Sequence, residues 1–131
     1  MKSIIAALLS FIVGIMCYTL TLKIVWNQSL GGDADAVLFW GGLAFLIIAL
    51  PIYLVMLKLI DTIFSKHKYF FYPLSCMLVF FVPTTFITLS FGGVLAIFSA
   101  EAMLFHTFYL SSGFIFGIMS WFFQRKEVQD T

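Results

Sequence analysis

Apolar residues in this chain come in long runs rather than in alternation. Ser3 to Leu22 holds no charge, Ala36 to Leu57 holds none, and Tyr69 to Phe123 holds one formal charge, Glu101. A membrane-spanning helix needs about 20 predominantly apolar residues. The first two runs each predict one span. The third is too long for one and predicts two. Its break is expected near Phe91-Gly92-Gly93, where the glycine pair frees the backbone to end a helix. Ser99 and Glu101 then read as the capped, dipole-favoured start of the next helix. The expected spans are about 3–25, 36–60, 69–91 and 100–123, with a short apolar connector through Phe98. The fold class is all-α: a polytopic four-transmembrane-helix bundle in a single domain, residues 1–131.

Composition supports the bilayer as solvent. The 131 residues are 63% apolar and 10% charged, with a mean hydropathy of +1.10. Soluble domains average about half apolar and a quarter charged, and a small one buries only about two-thirds of the surface its unfolded chain exposes. A net charge of +1 lacks the clustered basic face that nucleic acid requires. Two cysteines do not make a disulfide framework. CxxC, HExxH, GxxxxGK and GxSxG patterns are missing from the sequence, so the expectation is no enzyme, no metal and no cofactor.

Charge placement sets the expected orientation. Lys2, the segment with Lys58, Lys66 and Lys68, and the tail with Arg125 and Lys126 share one side, while Lys23, Asp33, Asp35 and Glu101 fall opposite. The positive-inside rule puts both termini in the cytoplasm. Aromatic belts agree, with Trp26 and Trp40 at the outer boundary and Tyr69, Tyr72 and Trp121 at the inner one. The Lys58–Lys68 segment is expected to act as topology determinant and to touch anionic lipid heads, and the tail from Gln124 to Thr131 is expected to fray. The first run exceeds a signal-peptide apolar region and reads as an uncleaved anchor. Asn27-Gln28-Ser29 matches a glycosylation acceptor but sits against the membrane edge, so it is read as a chance match. The Phe-rich, Lys-biased composition fits a bacterial inner membrane.

Polar residues at depth are the informative ones, because each is costly in hydrocarbon unless it faces protein or water. At ~100° per residue, Ser99, Ala102, His106, Gly113, Gly117 and Ser120 fall within ~60° of arc on the fourth span. Gly113 and Gly117 form a GxxxG, which lets two helix backbones approach closely. His106 therefore faces a helix neighbour, where a hydrogen bond to a hydroxyl across the interface is expected; the sharper alternative is a proton relay. Glu101 and the pair Asp33 and Asp35 read as first-turn acids at helix N-termini. Pro83 and Pro51 predict kinks in the third and second spans. Thr84, Thr85 and Thr88 beside Pro83 are placed to satisfy the freed backbone, or to line a substrate or ion site together with His106 and Glu101. Cys17 and Cys76 differ by about 10 Å in depth at ~1.5 Å per residue, too far for a disulfide.

Two functions of different class fit this pattern. The first is a small non-catalytic membrane protein acting through helix–helix contacts within the bilayer, as an accessory subunit or an immunity-type protein, with Ala102, Gly113, Gly117 and Ser120 as its packing stripe. The second is a homo-oligomeric small transporter or channel using His106, Thr84, Thr85, Thr88 and Glu101. The expected partners are the lipid bilayer and another membrane protein or a second copy.

Overall fold

The structure, a computed structural model, describes residues 2–64 and 66–129, with side chains as far as Arg125. It is 92% helix, with no strand among the described residues. Helix α1 spans Lys2–Trp26, α2 Ala34–Ala44, α3 Leu50–Ile63, α4 Lys68–Ala96 and α5 Ala100–Gln129. A wide π-helical segment, Phe45–Ala49, joins α2 to α3 without a break, so Gly31–Ile63 is one long rod. Four helices are thus long and apolar enough to cross a membrane.

The proline in the second rod explains the wide turn. Pro51 has no N–H, and its ring would strike the carbonyl of Ile47 in a regular helix. The chain instead opens a π turn just before it, with the Leu50 N–H donating to the Phe45 carbonyl. The expected Pro51 kink is therefore a bulge. It also helps packing. Phe45, Ala49, Tyr53 and Leu57 are all buried at a spacing of four, which drifts ~40° per step on a 3.6-residue helix, and a wide turn takes back part of that drift.

In α4 the break falls at the expected glycine pair and not at the proline. Backbone dihedrals stay helical through Pro83, and the one non-helical residue is Gly93, at φ 72° and ψ −174°. Only glycine adopts that region without strain. The regular helix thus breaks at the expected glycine pair, and one further helical turn carries the element on to Ala96. Ser99 then caps α5, accepting from the Ala102 N–H at 3.2 Å. Asp33 occupies the cap position of α2 but makes no capping bond; a 3-10 turn over Gly31–Asp33 precedes it, closed by the Asp33 N–H to the Leu30 carbonyl. The tail does not fray at Gln124, because α5 continues to Gln129; Asp130 and Thr131 lie outside the described residues.

Helix α5 is the hub, packed along α1 on one side and α4 on the other, while α3 packs on α4. A ladder of small residues on α1 makes the first seam: Ala6, Ala7, Ser10 and Gly14 are its buried positions. Inside lies an aromatic cluster in which Tyr53 stacks on Phe116 at 5.2 Å and meets Phe80 edge-on at 5.4 Å. Phe80 in turn stacks on Tyr109 at 4.6 Å. Burial is uneven along the bundle. The end carrying Lys2, Lys58 and Lys68, called here the basic end, holds the buried residues of α1, α3 and α4, whereas α2 at the far end buries none. Apolar gaps there face no hydrophobic penalty if lipid fills them, since lipid tails are as apolar as the side chains.

Candidate functional site

The GxxxG of α5 lies directly on the backbone of α4. A Cβ at Gly113 would come 2.5 Å from the Cys76 carbonyl oxygen, and one at Gly117 would come 2.4 Å from both N and Cα of Pro73. Hydrogen is the only side chain these positions admit. Pro73 contributes to the fit, since at this point α4 presents no N–H and can be approached closely by a bare helix face. Ala102 is buried further along, whereas Ser120 opens onto a cleft at the basic end. The stripe is therefore committed to packing within the chain, and Gly113 and Gly117 are not exposed for a partner helix.

The polar residues at the far end divide into two groups. Thr84, Thr88, Ser99 and Glu101 line a cavity of about 430 Å³ between α4 and α5. Thr85 and His106 do not line it. His106 packs its ring edge-on against Phe81 at 5.0 Å, and both its nitrogens are buried without a partner, as is the Thr85 hydroxyl. The hydroxyl bond expected for His106 is not made. Its facing position is filled by a phenyl ring, and the nearby hydroxyls are turned to their own helix: Thr84 to the Phe80 carbonyl and Thr88 to those of Thr84 and Thr85. None of these threonine bonds goes to the Val79 carbonyl that Pro83 frees. Glu101 stays exposed in the first turn of α5. Cys17 and Cys76 are both free thiols. Among the described residues no three His, Cys, Asp or Glu side chains gather to hold a metal.

Two polar clusters emerge that the sequence reading passed over. The first is central and dry. Ser10 Oγ donates to the Ser112 carbonyl at 2.6 Å, tying α1 to α5, and Tyr53 OH lies 3.1 Å from Ser112 Oγ, tying α3 to the same point. All three side chains are fully buried. The small-residue spacing Ala7, Ser10, Gly14 was the available signal, because it marks a close-packing face in the way GxxxG does.

The second cluster closes the basic end. Asp61 Oδ1 takes the Lys68 ammonium, and the Tyr72 hydroxyl stands 2.5 Å from that oxygen and 2.6 Å from Gln124 Oε1. One phenol carries one proton. It lies between two acceptors, the carboxylate being the stronger and the Gln124 amide oxygen the second. Tyr72 is thereby a core residue, 0% exposed, and not a member of an interfacial belt; Tyr69 and Trp121, with rings 6.2 Å apart, remain at the surface. A signal did exist here. Asp61 sits in the last turn of α3, where the helix dipole disfavours an acid, so it required a cation or donors nearby.

The chain matches no protein-family model, no curated protein and no solved structure.

Proposed function

We propose that this is a non-catalytic multi-pass membrane protein that works by seating a helix of another membrane protein against its far end, with both termini and the lysine-rich end in the cytoplasm. The observation that carries the reading is α2: eleven residues, Ala34–Ala44, none of them fully buried in the bundle. Beside it a groove of about 250 Å³ runs between α1, α2 and α5, walled by Ile15, Tyr18, Phe108 and Tyr109 and opening at Gly41. A Cβ at Gly41 meets nothing within 4 Å, so a foreign helix can come close there. This moves the partner-facing surface from Gly113 and Gly117, already occupied by α4, to Gly41 and its neighbours. A protein with short loops offers a partner little else to grip.

The alternative, a homo-oligomeric transporter, draws support from the cavity lined by Thr84, Thr88, Ser99 and Glu101. Against it stands the aromatic cluster around Tyr53 and Phe116, which fills the bundle axis below. Native mass spectrometry of protein taken gently from its own membrane at natural abundance separates the two. A complex with a different membrane protein, lost in Gly41→Leu and kept in Val55→Leu on the exposed face of α3, supports the helix-seating reading. A defined homo-oligomer unaffected by Gly41→Leu refutes it and directs flux assays to Glu101 and His106 variants.

A further inference from the structure

We propose that the seam between α1 and the second rod binds one anionic glycerophospholipid from the leaflet at the basic end, with its phosphate at Lys58 and an acyl chain lying along the groove above it. The inference rests on the reading of these helices as membrane spans, and it is independent of any protein partner.

Three observations converge on it. At the basic end a cleft of about 310 Å³ opens between α1, α3 and α5, lined by Lys2, Ser3, Lys58, Asp61, Ser120 and Gln124, with Leu54 and Leu57 behind them. Its acid is already neutralised, because Asp61 is held by Lys68 and Tyr72. The Lys58 side chain is exposed and has no acidic partner among the described residues. The cleft thus presents the Lys58 charge and two hydroxyls, the complement of a phosphate diester.

Second, α1 meets this rod through the Phe11 and Phe45 rings, 5.4 Å apart, and not by close backbone approach, which leaves an apolar gap beside them. Third, the same seam continues towards mid-depth as an apolar groove of about 260 Å³, walled by Ala7, Leu8 and Phe11 of α1 and by Gly42, Leu46 and Leu50 of the second rod. Leu50, Leu54 and Lys58 follow one another at i, i+4 and i+8 along one face of that rod, so the charged mouth and the apolar groove share one wall. Leu46 lies about 18 Å from Lys58 along the helix at ~1.5 Å per residue. That matches the roughly 15 Å hydrocarbon depth of one leaflet. A free phosphate would use the mouth and leave the groove; a lipid fits both.

The test is native mass spectrometry of the full chain in mild detergent, with phosphatidylglycerol and phosphatidylcholine of identical chains added in turn and glycerol 3-phosphate as competitor. Wild type is expected to retain phosphatidylglycerol in preference to phosphatidylcholine. Lys58→Gln should weaken that retention about fivefold, the worth of one lysine–phosphate contact, while Lys58→Arg restores it and Lys66→Gln, in the loop outside the cleft, leaves it unchanged. Gly42→Leu should lower retention of both lipids by filling the groove; its Cβ makes only an ordinary contact with Phe11, at 3.5 Å, and the rest of the side chain points into the groove volume it is meant to fill. That arm decides alone if Lys58→Gln does not fold. Equal loss in Lys66→Gln, displacement of the lipid by glycerol 3-phosphate, or wild-type retention in Gly42→Leu overturns the proposal.

Discussion

Replacing Gly117 with alanine adds one methyl group to a helix that has no room for it. The new carbon would stand 2.4 Å from N and Cα of Pro73 and 2.7 Å from the Tyr72 carbonyl carbon. Carbon atoms settle at about 3.5–4.0 Å, so α4 and α5 must part by roughly 1 Å. The obstructing atoms are backbone, and no rotamer change relieves them. Overpacking of this kind costs about 1–3 kcal/mol, and a gap of 0.5–1 Å forfeits about a quarter to a half of each contact along the seam. The expected loss is therefore about 3 kcal/mol of unfolding free energy for Gly117→Ala, with Gly113→Ala close behind. Gly41→Ala is the matched control. It meets nothing within 4 Å and gains up to about 1 kcal/mol from the better helix propensity of alanine. Reversible unfolding in mixed micelles, followed by circular dichroism, reads both. The same substitution with opposite signs at two glycines is the outcome required. Gly117→Ala within about 0.5 kcal/mol of wild type, the range of an inert surface change, would refute the close-packed seam.

Other substitutions test the polar clusters by the same unfolding measurement. Tyr53→Phe removes the bond to Ser112 and costs about 1 kcal/mol; a double-mutant cycle with Ser112→Ala should return a coupling of about 0.6 kcal/mol, typical of hydrogen bonds inside membranes, and a coupling of zero would show that the two hydroxyls do not interact. His106→Phe removes two unpartnered nitrogens and keeps an aromatic ring against Phe81, so stability should rise by about 1 kcal/mol. A clear fall would mean that the imidazole has a partner after all. Tyr72→Phe should destabilise more than Lys68→Gln, because the phenol is buried whereas the Lys68–Asp61 pair is about one-third exposed and such pairs contribute under about 1 kcal/mol. The reverse order would place the strength of the basic end in the ion pair.

The run lengths from Ser3 to Leu22 and from Ala36 to Leu57 determined by themselves that this chain forms long apolar helices, because a span is a local property of about 20 residues. The start of α5 was equally legible, since Ser99 needs only the N–H three residues on. Helical phase also placed Gly113 and Gly117 on one face. Which helix that face meets was not readable, because close approach depends on what the other backbone offers, here Pro73 and Cys76. The same limit explains His106. Its position on the inward face was a matter of counting, but its missing partner followed from where Phe81 and the back-bonded threonines happen to stand. Prolines 51 and 83 announced strain without saying where it would be absorbed; the tertiary structure took up the first as a π turn at Phe45–Ala49 and kept helical dihedrals at the second, whereas the break at Gly93 was already legible in the glycine pair. Asp61, Tyr72 and Gln124 are distant in sequence and modest as motifs. Only the folding of α3, α4 and α5 to a common end brings them together, and only the thin packing of the far end leaves α2 without a buried residue.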